Sequence, residues 1–421
     1  MKNLKSVVFD LFLTVAAFSL AFLLISFTSQ NYNLVLISVD SLRPDHLDTF
    51  GYNKKNTPNI DGLASQSVIF PKSYTIYPST VGSYYSLLTG NSYLIDNELA
   101  VLNFIKDFDA KKNSEYTNMT SYFKKNGYET SAFVSNPKLN KKIFETSFNE
   151  FIFDDNSQSL TKSALAKVEN LADKRFFLWL DFTLESQVVD KATVEERLLS
   201  CQDEFWTEAG IKERVDEYDL RLKEIDQKIG QLLEVMNKKG IDKNTVFVVY
   251  SDKGETFDPR YYGLSKTVYE SDVKNVLIVK KPKQLAKVTV DKPVDNSQVS
   301  KLLTSMAMNN DKPLQELQKL VENKLIFFRL SYGKNLKLGV TDQKYKYIYN
   351  LATDSCLPEK DASEFYDLIV DPDEKNNLID EPNKQEVVNQ MKEKLSKASR
   401  VSLIKQGDQV DILERLKQLG Y

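Results

Sequence analysis

Leu34-Val35-Leu36-Ile37-Ser38-Val39-Asp40 is an almost unbroken apolar run that ends on a carboxylate. Apolar stretches of this kind, without alternation, read as strands of a parallel sheet buried on both faces. Val246-Phe247-Val248-Val249-Tyr250-Ser251-Asp252 repeats the form about half a chain later. In an open α/β sheet, ligands gather outside the carboxyl ends of the strands. Asp40 and Asp252 are therefore expected to converge on one site, and two facing carboxylates need a cation between them.

The segments between these strands alternate in type. Thr57-Pro58-Asn59-Ile60-Asp61 opens a helix, with Pro58 in its first turn and Leu63, Ala64 and Val68 as the apolar stripe. Thr117 to Asn126 reads as an amphipathic helix closed by Gly127, and Thr130 to Val134 as a short strand. Phe176 to Phe182 reads as a buried strand, and Val215 to Lys239 as a long helix stopped by Gly240. Strand, helix, strand, helix in this order predicts an α/β fold, a doubly wound and mostly parallel sheet with helices on both faces. Near residue 325 the character changes. Leu325 to Arg329, Leu336 to Thr341 and Tyr345 to Tyr349 read as short strands, followed by a Lys/Glu-rich helix from Lys384 to Ser399. The expected organisation is a leading segment over residues 1–30, a main α/β domain over 31–324, and a small C-terminal antiparallel sheet with a covering helix over 325–421.

Composition narrows the classes. The 421 residues carry 42% hydrophobic and 27% charged side chains, as an ordinary globular protein does. The net charge of −3 supplies no basic field for a nucleic acid. The chain has one histidine, His46, so a site built on several imidazoles is excluded, and His46 is expected to be structural. Cys201 and Cys356 lie far apart with no CxxC, which removes the common structural zinc sites. Residues 7–27 are almost wholly apolar, about the length that crosses a bilayer, and Lys2 and Lys5 precede them. This predicts a single N-terminal membrane anchor with the main domain outside the cytoplasm; a cleaved signal peptide is the alternative.

The motifs, taken in order, resemble a known family. Asp40-Ser41-Leu42-Arg43-Pro44-Asp45-His46, Thr57-Pro58-Asn59-Ile60-Asp61-Gly62-Leu63-Ala64 and Ser86-Leu87-Leu88-Thr89-Gly90 look like the N-terminal half of sulfatases, within the alkaline phosphatase superfamily. The resemblance continues through Gly127-Tyr128-Glu129, Ser251-Asp252-Lys253-Gly254-Glu255, Phe365-Tyr366-Asp367-Leu368 and Asp371-Pro372. It implies that Asp40 and Asp252 match metal ligands and that Thr80 falls where sulfatases carry the cysteine converted to formylglycine. It also implies that Lys266 matches a lysine contacting the substrate, with Arg43 as a further contact. A hydrolase of sulfate or phosphate esters needs a nucleophile, a cation such as Ca²⁺ or Mg²⁺ on the ester oxygens, and a proton donor.

The departures point to a divergent member. The formylglycine motif requires Cys or Ser followed by x-Pro-x-Arg, whereas this chain reads Thr80-Val81-Gly82-Ser83-Tyr84. Ser41 stands where a second metal aspartate is common. Lys253 occupies a position normally held by His or Asn, and its ammonium is expected to pair with Asp40 and Asp252 and replace the metal's charge. Asp181-Phe182-Thr183-Leu184-Glu185-Ser186 lacks the histidines usual in that segment.

Each residue also has a plainer reading. In that reading Asp40 and Asp252 merely cap the helices after their strands, and Thr80 is an ordinary loop hydroxyl with Ser79 as competitor. Lys253 then turns outward as a solvated lysine, and Lys266 pairs with Glu270 one helical turn on. Two functions follow. In the first, the site is degenerate: Lys253 replaces the metal, hydrolysis is weak or lost, and the partner is an anionic ester or a protein. In the second, an active ester hydrolase or phosphoryl transferase uses Thr80 as nucleophile, one divalent metal on Asp40 and Asp252, and Lys266, Arg43 and Lys253 around the anionic substrate.

Overall fold

The computed structural model describes residues 31–90, 119–140, 142–171, 174–184, 208–257, 267–310, 312, 314–315, 325–332, 335–351 and 363–399. The apolar segment 7–27, Cys201, Cys356 and Lys266 lie outside the described residues. Among the described residues, no helix is long and apolar enough to cross a membrane.

The main unit runs β1 (Asn33–Asp40), α1 (Pro58–Ala64), β2 (Val68–Ile69), β3 (Ser73–Tyr74), α2 (Thr80–Thr89), α3 (Met119–Lys125), β4 (Glu129–Val134), α4 (Lys142–Ser147), β5 (Glu150–Phe153), α5 (Ser157–Glu169) and β6 (Phe176–Thr183). It continues with α6 (Glu208–Lys238), β7 (Thr245–Tyr250), α7 (Glu270–Val273), β8 (Leu277–Lys280), β9 (Val288–Thr289), β10 (Val294–Asp295) and α8 (Asn296–Ala307). Eight strands form one sheet in the order β5-β4-β6-β1-β7-β8-β2-β9. The five from β5 to β7 are mutually parallel, and β8 is antiparallel to β7.

Alternation of side chains along β1 explains the layering. Leu34 and Leu36 face a core built with Tyr84 and Leu87 of α2, Phe123 of α3 and Val299 and Leu302 of α8. Val35, Ile37 and Val39 face the opposite core, built with Ile60 and Leu63 of α1, Leu160 and Ala164 of α5 and Leu222 and Ile229 of α6. Each such aliphatic side chain, fully buried, contributes roughly 1.5–3 kcal/mol. β1 is central and covered on both faces, as its lack of polar alternation requires.

The small unit is an antiparallel meander: β11 (Ile326–Tyr332), β12 (Asn335–Thr341), β13 (Tyr345–Leu351) and β14 (Ser363–Asp367). On one face α9 (Gln385–Ser399) places Val388, Met391 and Leu395 on Leu338, Val340, Tyr347 and Phe365. On the other, Phe328, Leu330 and Ile348 pack against Tyr74, Ile76, Val268 and Val273 of the main unit.

Three expectations need correction. Val68 is not on the stripe of α1 but begins β2, because that helix ends at Ala64. Asp252 does not end its strand; β7 stops at Tyr250 and Asp252 lies in the loop beyond. A fourth strand, β14, completes the small sheet from the Phe365-Tyr366-Asp367 stretch. Gly127 and Gly240 both adopt left-handed φ, of 76° and 69°, and end their helices as expected.

Candidate functional site

The period of two that buries Leu34 and Leu36 also sends Ser38 and Asp40 to the same face, at the carboxyl edge of the sheet. Asp40 is fully buried. Its Oδ2 accepts from Asn136 Nδ2 at 2.8 Å and Thr183 Oγ1 at 3.3 Å, and its Oδ1 from Ser41 Oγ at 3.1 Å. Asp252 arrives from β7. Its Oδ1 accepts the backbone N–H groups of Ser41 at 2.9 Å and Lys253 at 2.8 Å. Its buried Oδ2 has no partner among the described residues. The two aspartates do converge, through the Ser41 N–H that Asp252 accepts.

Ser41 is the hinge of this arrangement. Its φ of 61° is left-handed, an uncommon state for a residue with a Cβ. That turn aims its N–H at Asp252 and its hydroxyl between Asp40 and Lys253. Tyr218 of α6 holds the conformation by donating to the Ser41 carbonyl at 2.9 Å.

Lys253 turns inward, not outward: its side chain is 4% exposed, and Nζ lies 3.9 Å from Asp40 Oδ1. Nζ donates to Ser41 Oγ at 2.5 Å. Its position is fixed by the next residue. A Cβ on Gly254 would fall 1.8 Å from the Ser271 carbonyl oxygen, so only glycine allows this approach to α7. The Gly254 N–H donates to the Asp272 carbonyl at 2.9 Å. Burial, and next the Asp252 carboxylate, push Asp40 up to about 7, against the opposing pull of Lys253 and Lys138.

A divalent cation of the Ca²⁺ or Mg²⁺ type wants about six to eight oxygen ligands. No cluster of three or more His, Cys, Asp or Glu side chains suited to a metal occurs among the described residues. With the Lys253 ammonium against Asp40 and Ser41, the donor set as arranged does not fit such an ion.

Thr80 is the first residue of α2, after the N-cap Ser79, which makes no side-chain capping bond. Thr80 is 2% exposed, and its Oγ1 has no partner among the described residues. The first-turn amides and the positive end of the helix dipole therefore sit beside an unused hydroxyl. Hydrogen bonds tie this end of α2 to the strands. Ser83 Oγ and Tyr250 Oη are 3.0 Å apart, and Tyr84 Oη donates to Asp181 Oδ1 at 2.9 Å.

The remaining predicted residues are less free. Arg43 donates through Nε and Nη2 to Asp45 at 2.9 and 2.7 Å and through Nη1 to the Glu255 carbonyl at 2.9 Å. Glu270 is engaged by Lys274 at 3.1 Å and Lys346 at 3.2 Å. His46 is buried, 2.8 Å from Asp219 through Nδ1 and surrounded by the rings of Tyr52, Tyr218 and Phe257, in the structural role expected. Burial lowers its pKa.

Sequence reasoning missed Asn136 and Asp272. Asn136 lies two residues past β4, as Asp252 lies two past β7, so the rule of strand carboxyl ends would have found it. Asp272 is fully buried in α7, accepts from Thr267 Oγ1, and is raised to about 6 by burial. Nothing in its local sequence marks it.

Comparison with known proteins adds a family. The sulfatase family model matches residues 32–307. An ulvan-active sulfatase of Formosa agariphila is 23% identical over 428 aligned positions, covering 87% of this chain and 80% of that protein. Among solved structures, a 2-O GAG sulfatase superposes with a TM-score of 0.66 at 16% identity, over 87% of this chain and 92% of that one. The phosphonate monoester hydrolase of Agrobacterium radiobacter gives 0.65 at 14% identity, over 87% and 95%. Such identities speak for the fold alone. The family match, however, spans more than half of the sequence, from β1 through α8, and takes in Asp40, Thr80 and Asp252: the chain belongs to the sulfatase family.

Proposed function

We propose that this chain is a membrane-anchored, extracytoplasmic sulfatase-family protein whose ester-hydrolase activity is weak or lost and whose pocket still holds an anionic ester group. One observation carries the reading. The Lys253 ammonium sits 3.9 Å from the buried Asp40 carboxylate and 2.5 Å from the Ser41 hydroxyl. A second, divalent charge beside it would be repelled strongly in so dry an environment. The site therefore takes its cation from the chain, and no bound metal is needed. The absence of Pro and Arg after Thr80 supports the same reading, since the formylglycine motif that sulfatases need is broken.

The ligand class follows from charge and kinship. Lys253 and Lys138 supply positive charge near Asp40, and the α2 terminus offers amides and the Thr80 hydroxyl to an oxyanion. Relatives named for ulvan and GAG sulfate esters support a sulfated polysaccharide as the ligand.

The unpartnered Thr80 hydroxyl favours a second reading, an active sulfate or phosphate ester hydrolase or phosphoryl transferase with Thr80 as nucleophile. Asp40 and Asp252 would then hold one Ca²⁺ or Mg²⁺, with Lys266 on the substrate. Titration calorimetry of the full chain with Ca²⁺, Mg²⁺, Mn²⁺ and Zn²⁺ separates the two. The wild type is expected to bind none tightly, and Lys253→Asn to gain affinity that Asp40→Ala removes. Stoichiometric binding by the wild type, lost in Asp40→Ala, would sink the degenerate reading and send Thr80→Ala to an ester-hydrolysis panel.

A further inference from the structure

The edge of the sheet opposite the site has its own chemistry. Strand registers align Glu129, Phe176, Asn33 and Thr245 along that edge, and Lys280, opposite Phe247, ends β8 two residues short of it. The described chain begins here, just before β1, and the apolar run 7–27 precedes it in the sequence. The connection from β8 to β9 leaves from the same edge and reads Lys280-Lys281-Pro282-Lys283-Gln284-Leu285-Ala286-Lys287-Val288. It holds four lysines and no acid, and Leu285 is 85% exposed with Val288 at 40%. Lys243, ahead of β7, and Lys239, after α6, are exposed on this edge too.

Local rules account for part of this pattern. Cations gather at helix C-termini, which covers Lys239. Lysines flanking an edge strand such as β9 deter edge pairing, which covers Lys287, the residue just before it. Neither rule explains a leucine held 85% exposed among lysines in a strand-to-strand loop. Several acids at this edge already face lysines, Glu150 with Lys167 and Glu234 with Lys238 among them. Glu129 is engaged by Lys167 and Lys174, and Asp242 faces Lys280.

We propose that this edge, with the Lys280–Val288 loop at its centre, docks on the surface of an anionic phospholipid bilayer, the lysines on headgroups and Leu285 among the upper acyl carbons. Basic residues against anionic lipid with an apolar tip are the physics of interfacial binding. The location fits, because the first described residues after the apolar stretch, Asn31 and Tyr32, lie at this same edge just before β1. β1, eight residues long, then carries the site about 26 Å away from the membrane. The pocket would face outward, toward a soluble or cell-surface polymer, and away from lipids of its own bilayer.

The proposal rests on the anchored reading for its orientation, and the test separates the two. The full chain is presented to phosphatidylcholine vesicles with and without about 30% phosphatidylglycerol, with flotation and hydrogen exchange of the 281–288 amides as readouts. Protection of these amides only with phosphatidylglycerol is expected. It should be lost in high salt and in Lys281→Glu/Lys283→Glu/Lys287→Glu, each lysine weighing roughly fivefold in affinity. Leu285→Asp should weaken protection without altering the fold. Flotation on both lipids with no protection overturns this inference and leaves the anchor. Flotation and protection confined to phosphatidylglycerol supports the inference and removes the anchor. No flotation on either overturns both, and protection by a soluble sulfated polysaccharide in place of vesicles overturns the choice of a bilayer.

Discussion

At Asp181 a carboxylate lies fully buried in β6, with Ser38 and Tyr84 donating to Oδ1 and no partner for Oδ2 among the described residues. Burial lifts its pKa from 3.8 to about 7. The folded state thus keeps a proton that the unfolded chain has lost. Its contribution to stability is full below about pH 4 and gone once pH passes 7. Asp181→Asn keeps both accepted hydrogen bonds and removes the charge. It is expected to raise the urea midpoint at about pH 8 by the equivalent of roughly 1–3 kcal/mol and to change little near pH 4.5. An equal effect at both pH values would mean that Asp181 is ionised throughout. Legibility at this scale was uneven. Asp40 and Asp252 stood out because each closes an apolar run. Lys253 stood out against the family pattern, but its inward turn depends on Gly254 meeting Ser271 across a gap that no local pattern encodes.

Among the elements, α1 depends on a neighbour for its start. Its N-cap Thr57 makes no capping bond to the helix amides, and its hydroxyl donates to Asp61 at 2.8 Å. Asp226 of α6 does the work instead, accepting the N–H of Ile60 at 2.8 Å and of Asn59 at 3.1 Å. Asp226→Ala is expected to cost about 1–2 kcal/mol in urea denaturation, and Asp226→Asn less than half of that. Equal losses in the two variants would show that charge, and not capping, matters. The long parallel strands and α6 were readable because continuous apolar runs and a 3.6-residue stripe are strong signals. The two-residue strands β2 and β3 were not, since their pairing with β8 and β10 comes from tertiary contact. α2, which carries Thr80, escaped as well. Its Gly82, Ser83 and paired tyrosines make a poor helix in isolation, and packing against α8 and β7 decides it.

The molecule as a whole is joined by a buried charge. Lys346 of β13 has no exposed surface and lies 3.2 Å from Glu270 of α7 and 3.0 Å from Glu374 beyond β14. Lys346→Met would leave two buried glutamates short of their cation. A loss of about 3–5 kcal/mol is expected on urea unfolding. A loss under about 1 kcal/mol would show that Lys274 alone suffices for Glu270. The composition and the change of strand character near residue 325 announced a second sheet, but not that this ion pair binds it beside the site. β1 has a mechanical consequence. It lies between two parallel partners, β6 and β7, with Asn33 at one end and Asp40 of the site at the other. A pull applied between its two ends, Asn33 and Asp40, would run along this strand. It would load the ladders on both sides in shear, all bonds together, where a hairpin at an edge would unzip one bond at a time.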